Sequence, residues 1–244
     1  MPAPITVIVP TLNAEAVLPK ALERLMEGLK EGLIRELIVT DGGSSDATLA
    51  IADAAGAEIV TGAAGRGGQV ARAIREARGE WILVLHADTW LQPGWPEAVR
   101  SALERPAAAH VFRLAFRSDS AGAAWTAGWA NLRSRWVGLP YGDQGLLIAR
   151  DLLDGVGGYP DLPLMEDVAL ARSLRGRIRL MPATATTSAE RYEANGWAGQ
   201  GVRNLLRLGR YLCGADPARL RADYAAPVSS SASSASPDES ELRN

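Results

Sequence analysis

This chain of 244 residues has little cysteine and no long apolar run: Cys213 is its single cysteine. One cysteine excludes an intramolecular disulfide and a cysteine-rich zinc site, and it fits a reducing compartment, so a cytoplasmic protein is expected. A membrane-spanning helix needs about 18 or more consecutive apolar residues, so no transmembrane segment is expected. The opening residues, MPAPITVIVP, lack a basic segment followed by a long apolar one, and we expect no signal peptide.

An excess of charge of either sign is also missing, since 26 basic and 28 acidic residues leave a formal net charge of -2. This balance gives no reason to expect nucleic acid as a partner. Peripheral contact with a membrane, at its inner face, stays compatible with the sequence.

The composition, with 47% hydrophobic and 22% charged residues, is that of an ordinary globular protein. The length suffices for one domain with a sizeable core, which we place at residues 1–225. Residues 226–244 are almost all Ser, Ala, Pro and charged residues, so we predict a disordered C-terminal tail.

Strands and helices alternate in the first half of the chain. Apolar runs predict strands at 5–9, 35–40, 57–62 and 80–85, and helical spacing predicts helices at 14–32, 45–56 and 67–79. Continuous apolar strands alternating with helices indicate an α/β fold with a mostly parallel, Rossmann-like sheet that is covered on both faces.

The alternation ends after Asp88, which indicates a second, smaller region. Strands are predicted at 108–118, as a candidate antiparallel strand, and at 145–150. The helices predicted in this region are 94–104, 121–138, 166–176 and 197–212.

Two helices of this region carry residues with two interpretations. The three tryptophans of the helix at 121–138 favour a core stripe, with a platform for an acceptor ring or lipid as the alternative. The three arginines of the last helix favour a solvated face, with a membrane surface or anionic acceptor as the alternative. These residues are Trp125, Trp129 and Trp136, and Arg203, Arg207 and Arg210.

Polar and glycine-rich segments follow each strand of the parallel half, where ligands of open sheets bind. TDGGSSDAT places Asp41 at the tip of the second strand, where a carboxylate is suited to a base or ribose, although a capped turn explains the segment equally. GRGGQ follows the third strand and contains Arg66. Arg66 is a candidate for neutralising a phosphate, and the alternative is a flexible turn with a solvated arginine.

The fourth strand runs into LHADT, which places His86 and Asp88 two residues apart. Asp88 suits Mn²⁺ or Mg²⁺, since such ions take few protein carboxylates and fill their remaining sites with phosphate oxygens and water. His86 is a softer ligand that would favour Mn²⁺, but a hydrogen-bonded neighbour is the preferred interpretation.

PLMEDVAL places Glu166 and Asp167 at the start of a helix. Acidic residues are favourable there for the helix dipole alone. As a functional interpretation, the helix end would lower the pKa of a carboxylate and keep it ionised as a general base.

Together these segments resemble, in the expected order, a family 2 glycosyltransferase with the GT-A fold. VIVPTLNAE resembles the opening strand and loop, IVTDGGSSDAT the V-D-x-G-S-x-D-x-T segment, and ARGEWILVLHADT the strand leading into the D-x-D motif. PLMEDV resembles the Glu-Asp motif that ends the acceptor-side segment. The resemblance covers roughly residues 4–210, and GRGGQ, LHADT, GLPYGDQG and PLMEDV are most similar to a compact bacterial subgroup labelled as arsenosugar-biosynthesis glycosyltransferases.

The resemblance implies a role for each matching residue. Asp41 corresponds to the nucleotide-base contact, and Asp88 to the second aspartate of D-x-D, which contacts the metal and diphosphate. Asp167 corresponds to the catalytic base, with Glu166 beside it, and Arg66 is expected near the nucleotide or phosphates. The loop that lines the nucleotide corresponds to Pro10, Thr11 and Asn13.

The first aspartate of D-x-D is replaced by His86, which we place with the nucleotide-lining residues. The replacement puts in doubt a ribose or second metal contact at that position. The loop at 140–144, with Tyr141 and Asp143, is a candidate for sugar or acceptor contacts, or a structural turn.

The reaction that the resemblance implies is inverting transfer of a sugar from a nucleotide-diphosphate sugar, with Mn²⁺ or Mg²⁺, to the hydroxyl of a small-molecule or lipid-linked acceptor. A sugar-phosphate nucleotidyltransferase would need a basic glycine-rich loop after the first strand, and a nicotinamide-dependent oxidoreductase its glycine fingerprint there; PTLNAE is neither. A non-catalytic nucleotide-sugar binding module is the alternative from another class.

Overall fold

A computed structural model describes residues 3–225 of the chain. The expected disordered tail at 226–244 lies outside the described residues. The strands are β1 (Ile5–Thr11), β2 (Ile34–Asp41), β3 (Glu58–Thr61), β4 (Trp81–Val84), β5 (Trp90–Leu91), β6 (Ala109–Phe116), β7 (Leu146–Ala149) and β8 (Ile178–Thr187). The helices are α1 (Leu18–Lys30), α2 (Thr48–Ala54), α3 (Arg66–Glu76), α4 (Trp95–Leu103), α5 (Ala121–Val137), α6 (Arg150–Gly155), α7 (Glu166–Leu174), α8 (Glu190–Asn195), α9 (Trp197–Leu212) and α10 (Pro217–Ala225).

All eight strands form one sheet, in the order β3-β2-β1-β4-β7-β6-β8-β5. The first four are parallel, as the alternation of strands and helices predicts. Strand β7 runs antiparallel to β4 and β6, while β6 and β8 are parallel. The predicted antiparallel strand at 108–118 is therefore confirmed against β7. The fold is the expected α/β one, and its sheet is parallel in the first half of the chain and mixed in the second.

The sheet is buried on both faces because most positions of its central strands are apolar. Side chains such as Ile8, Ile82 and Leu147 have no exposed surface, and each such residue contributes about 1.5–3 kcal/mol through removal from water. The smaller core between α7, α9 and α10 contains Met165, Val168, Leu208 and Leu220. This cluster fixes the start of α7, which carries Glu166 and Asp167.

Helix α5 corrects the interpretation of its tryptophans as a core stripe. The helix packs on the sheet through Ala123, Ala127 and Ala130, which are buried. The tryptophans lie on the opposite side and are exposed. Because small side chains allow the helix to pack closely on β6 and β8, its alanine face is the one turned towards the sheet. The exposed side chains are Trp125, Trp129 and Trp136.

Candidate active site

The ends of β1 and β2 lie side by side, because Pro10 pairs with Thr40 and Thr11 with Asp41 in parallel register. Strand β4 lies on the other side of β1. The residues that follow β1, β2 and β4 therefore meet at one edge of the sheet, as the strand-end argument predicts.

Asp41 organises the loop after β2. Its Oδ1 accepts hydrogen bonds from the hydroxyls of Thr11 (2.9 Å) and Ser44 (2.5 Å). Its Oδ2 accepts the backbone N–H groups of Gly43 and Ser44, each at 2.7 Å. Burial raises the pKa of Asp41, but these hydrogen bonds outweigh it and the pKa is lowered. Because its pKa is lowered, Asp41 remains ionised at neutral pH. It is only 1% exposed and holds the loop in shape through these hydrogen bonds.

Asn13 ties the loop after β1 to the loop after β2. Its backbone takes a left-handed conformation with φ 51°, which asparagine tolerates better than most residues. Its side-chain Oδ1 accepts the N–H of Ser45 at 2.9 Å, and its own N–H donates to the Ser44 hydroxyl at 2.8 Å. Pro10, Thr11, Asn13 and Asp41 thus belong to one connected rim.

The GRGGQ segment has a packing role that its sequence did not indicate. A Cβ on Gly67 would lie 2.4 Å from the carbonyl oxygen of Leu162, so a glycine is needed where α3 meets the loop before α7. Gln69 donates from Nε2 to the carbonyl oxygens of Thr11 and Thr40, both at 2.8 Å, and joins α3 to the strand ends. Arg66 is brought to the site, with its Nη1 3.7 Å from Glu166 Oε1.

His86, at the end of β4, packs against the loop at 140–144. A Cβ on Gly142 would lie 2.6 Å from His86 Nε2, so only glycine fits opposite the imidazole. Burial, together with the charge of Arg66, lowers the pKa of His86 well below its ordinary value. The imidazole is therefore neutral at pH 7. The contact that the structure shows is packing against Gly142, and the hydrogen-bonded role favoured by the sequence stays a prediction.

Asp88 lies on the same strand end, where its backbone is fixed by Arg117. Arg117 Nη1 donates to the Asp88 carbonyl oxygen at 2.6 Å, and its guanidinium carbon lies 4.1 Å from the centre of the Trp90 ring. The carboxylate itself is half-buried. Sequence reasoning missed Arg117, since nothing in a strand-end arginine distinguishes it from a solvated one.

The donor set around Asp88 fits a divalent ion that is shared with a phosphate ligand. Among residues 3–225, no three His, Cys, Asp or Glu side chains gather into a self-sufficient metal site. Asp88 is near enough to Asp143 to raise the pKa of that second carboxyl group. Asp143 Oδ1 is enclosed and has no hydrogen-bond partner within the described chain. Hard carboxylate oxygens with open coordination positions suit Mn²⁺ or Mg²⁺.

Glu166 and Asp167 begin α7 after Met165, whose left-handed backbone (φ 65°) turns the chain into the site. Asp167 Oδ2 accepts the N–H of Gly142 at 2.8 Å, and its Oδ1 accepts the N–H of Val168 at 2.7 Å. Glu166 is only 2% exposed, whereas Asp167 is half-buried. Asp167 is the more exposed of the two residues, and it lines a cavity together with His86, Tyr141 and Gly142.

The expectation of a lowered pKa at this helix start is wrong. Burial raises the pKa of Asp167, despite hydrogen bonds from the backbone and the charge of Arg66. Burial and the charge of Asp167 raise the pKa of Glu166 to about 7. Loss of hydration therefore outweighs the helix dipole, and the pair shares a proton more readily than two exposed carboxylates would.

The loop at 140–144 presents polar atoms that the protein leaves unused. Gln144 anchors it, accepting from the Ser134 hydroxyl at 2.5 Å and donating to the Phe112 carbonyl oxygen at 3.0 Å. Arg133 lies over the Tyr141 ring, 3.7 Å from its centre. Within the described residues, hydrogen-bond partners are lacking for the buried atoms Arg133 Nη2, Tyr141 Oη and Asp143 Oδ1.

Arg133 was not found from the sequence, because only the tertiary packing of α5 brings it to this loop. Tyr141 and Asp143 were candidates, and the structure places them beside Asp167, whose charge raises the pKa of both. Three buried, unpaired polar groups beside a carboxylate that lines a cavity are features of a binding site rather than of a turn.

Asp143 gives a test of this arrangement that needs no ligand. Burial, followed by the charges of Asp167 and Asp88, raises its pKa from 3.8 to about 6, although Arg133 opposes the shift. A raised folded-state pKa favours folding at low pH, and this contribution is lost as pH rises through 3.8 to about 6. Between pH 4 and pH 8, Asp143→Asn should therefore gain up to about 3 kcal/mol of unfolding free energy relative to wild type.

Urea unfolding of both proteins at pH 4, 5, 6 and 8 measures that difference. The matched control is Asp53→Asn, at an exposed aspartate of α2, which makes the same replacement away from this loop. A constant difference for Asp143→Asn would show that its carboxyl group is not destabilised in the folded protein.

Comparison with known proteins identifies the family and the fold. Glycosyl transferase family 2 matches residues 6–158, more than half of the chain. No curated protein matches the chain. S. aureus TarS has a similar structure, with TM-score 0.58 and 17% identity over 89% of this chain and 41% of TarS.

A second similar structure is glucosyl-3-phosphoglycerate synthase from Mycobacterium tuberculosis, with TM-score 0.52 and 21% identity over 83% of this chain and 78% of that one. A third similar structure is a mycobacterial protein, with TM-score 0.50 and 22% identity over 76% of this chain and 65% of that one. The chain thus spans less than two thirds of the length of TarS and of this mycobacterial protein. At such identities the likeness shows the shared GT-A fold. With the family match over residues 6–158, it follows that the chain belongs to glycosyl transferase family 2.

Proposed function

We propose that the protein is an inverting glycosyltransferase, which moves a sugar from a nucleotide-diphosphate sugar to an acceptor hydroxyl with Asp167 as general base. The observation that carries the proposal is the position of Gly142, whose N–H binds Asp167 and whose Cα faces His86. This contact joins the start of α7 to the end of β4. It places a carboxylate that lines the cavity beside the strand end that carries Asp88.

The donor would lie along the rim formed by Pro10, Thr11, Asn13 and the loop after β2. Asp41 holds the Ser44 hydroxyl and the Gly43 N–H in place, so the base or ribose would meet a preformed loop. A structure of S. aureus TarS 1–349 contains UDP, and the M. tuberculosis synthase has been crystallised with Mn²⁺ and UDP-glucose. A uridine nucleotide is therefore the first donor to try.

The chemistry that this chain's residues can supply is proton removal and charge stabilisation. Asp167, once ionised, would take the proton of the acceptor hydroxyl as that oxygen attacks the anomeric carbon. Arg66, at the start of α3, would face the negative charge that develops on the departing diphosphate. A divalent ion held by Asp88 would supply further positive charge to that diphosphate when bound.

The acceptor or transferred sugar would use the loop at 140–144. A carboxylate such as Asp143 accepts hydrogen bonds from hydroxyl groups, and the guanidinium of Arg133 donates to hydroxyl oxygens. Tyr141 adds an aromatic ring and an unpaired hydroxyl. These groups suit a polyhydroxylated ligand, whether its acceptor end is a small molecule or lipid-linked. The arsenosugar subgroup remains a prediction about that acceptor.

The alternatives predict different products. A nucleotide-sugar binding module would bind donor and release nothing, whereas a sugar-phosphate nucleotidyltransferase would consume a nucleoside triphosphate and release pyrophosphate. The half-buried Asp167 beside a buried Glu166 favours transfer, because a module that only binds has no use for a base with a raised pKa.

The experiment is donor turnover by the whole chain. The protein is incubated with Mn²⁺, a panel of nucleotide sugars and a cell extract as the source of acceptor, and nucleoside diphosphate release is measured. We expect release from at least one donor, dependent on the extract, together with a sugar-bearing product by mass spectrometry. Binding of a donor without release would support the binding module, and pyrophosphate release from a triphosphate would support the nucleotidyltransferase.

A further inference from the structure

Helix α5 exposes a stripe of large apolar side chains. Trp125 is 72% exposed, Trp129 49% and Trp136 77%, and Leu132 between them is 42% exposed. Their spacing of four, three and four residues keeps them on one face. This face lies opposite the buried alanines, so it points away from the sheet. Exposure of three tryptophans in one line is unusual for a surface that meets only water.

Helix α9 repeats this pattern and packs against α5. Its inner face is formed by Gln200 and Leu208, which are buried. Its outer face carries four exposed apolar residues, at positions spaced by three, one and six. These residues are Val202, Leu205, Leu206 and Leu212.

The charge on these two helices is of one sign. Helices α5 and α9 contain five arginines and no aspartate or glutamate, although the whole chain is slightly acidic. Arg203 and Arg210 of α9 are exposed and lie beside the apolar face of that helix. Apolar stripes flanked by arginine are typical of helices that lie in a membrane interface.

We propose that the α5–α9 face, defined by these exposed apolar residues and their flanking arginines, docks on an anionic lipid bilayer. Tryptophan rings favour the headgroup region, where one part of the ring is apolar and the N–H remains hydrated. Arginines beside them meet lipid phosphates. No helix among residues 3–225 is long and apolar enough to cross a membrane. The proposed contact is that of helices lying along the bilayer surface.

A second copy of the chain is a poorer occupant of this face. In a two-fold symmetric dimer the same patch meets itself. Exposed arginines such as Arg203 would then be brought near the arginines of the other copy, and neither helix carries an acidic residue. Like charges brought together at an interface disfavour association, whereas an anionic surface complements them.

Docking there would bring the active site to the lipid surface, a consequence that rests on the proposed function. The end of α5 carries Arg133, which contacts Tyr141 and donates from Nε to the Leu139 carbonyl oxygen at 2.8 Å. Leu208 of α9 packs with Val168 of α7. The face thus belongs to the helices that hold the acceptor side, so the acceptor hydroxyl is expected on a lipid or lipid-linked molecule.

Sedimentation with vesicles tests the docking itself. We expect the whole chain to sediment with vesicles of equal parts phosphatidylglycerol and phosphatidylcholine at low salt, and tryptophan emission to shift to shorter wavelength. The double variant Trp125→Ser, Trp136→Ser and the variant Arg203→Glu should each weaken binding about tenfold. The controls Leu29→Ser on α1 and Arg75→Glu on α3 replace an apolar residue and an arginine that are exposed elsewhere on the surface, and should bind like wild type.

Several results would overturn the proposal. Wild type that stays in solution, equal binding to phosphatidylcholine alone, or equal losses in the controls would each do so. A dimer that the tryptophan substitutions convert to monomer would assign the face to a second copy. Donor turnover is measured separately, so absent turnover with intact vesicle binding contradicts the proposed function alone.

Discussion

Replacement of Asp167 by asparagine is expected to lower the rate of sugar transfer about 10²–10⁴-fold, the usual contribution of a positioned general base. The amide oxygen keeps one acceptor for the Gly142 or Val168 N–H groups, which the carboxylate binds at 2.8 and 2.7 Å. Donor affinity should therefore change little. Burial raises the pKa of Asp167, which means that its charged form is unfavourable in the folded protein. Replacing it by a neutral amide should therefore not weaken the fold at neutral pH. Turnover, donor affinity and unfolding free energy, measured together, separate these effects.

The pH dependence of turnover gives the same assignment a second test. Because burial raises the pKa of Asp167, wild-type activity should begin to fall at a higher pH than it would for an exposed aspartate, as acidification protonates the base. Glu166, whose pKa is about 7, is already neutral on the acidic side, so Glu166→Gln should leave this acidic limb close to that of wild type while activity persists. If Glu166→Gln abolishes transfer and Asp167→Asn only shifts the profile, Glu166 is the base.

The fold was largely predictable because the parallel half depends on local pattern. Four apolar runs separated by helical spacing predict β1 to β4, and the predicted strands at 35–40 and 57–62 overlap the observed ones closely. Strand β8 was missed, since IRLMPATATT contains Pro182 and many small residues and lacks clear alternation. Its place beside β6 is set by tertiary packing.

The same limit explains the error on the tryptophans of α5. Helical spacing shows that Trp125 and Trp129 share a face, but not which face is turned inward. The inward face is decided by how closely the helix approaches β6 and β8, and alanines permit the closer approach. Large apolar side chains on a helix therefore indicate a surface that packs against a partner, which is either the sheet or a molecule outside the fold.

The candidate site was predictable where a residue lies at the end of an element. Asp88 follows a buried strand and Asp167 begins a helix, and both can be found by counting along the sequence. Arg133 and Arg117 enter through long-range contacts, with Tyr141 and with the Asp88 backbone. The pKa of Asp167 was mispredicted for a related reason, since burial is a property of the folded chain.

Replacement of Asp88 by alanine is expected to lower transfer about 10²–10³-fold at saturating Mn²⁺, because the diphosphate would lose the charge that a bound ion supplies as it leaves. Asp88 is partly exposed and its backbone contact with Arg117 does not use the carboxylate, so the fold should be unchanged. The matched control is Asp151→Asn, at an exposed aspartate of α6.

Metal titrations of turnover distinguish a ligand from a bystander. For Asp88→Ala, the Mn²⁺ concentration giving half-maximal activity should rise, and for Asp151→Asn it should match wild type. His86→Ala should leave that concentration unchanged, since the neutral imidazole packs on Gly142. If His86→Ala instead raises the Mn²⁺ requirement as expected for Asp88→Ala, the histidine is a metal ligand. The strand end would then be a nitrogen–oxygen site, which prefers Mn²⁺ over Mg²⁺.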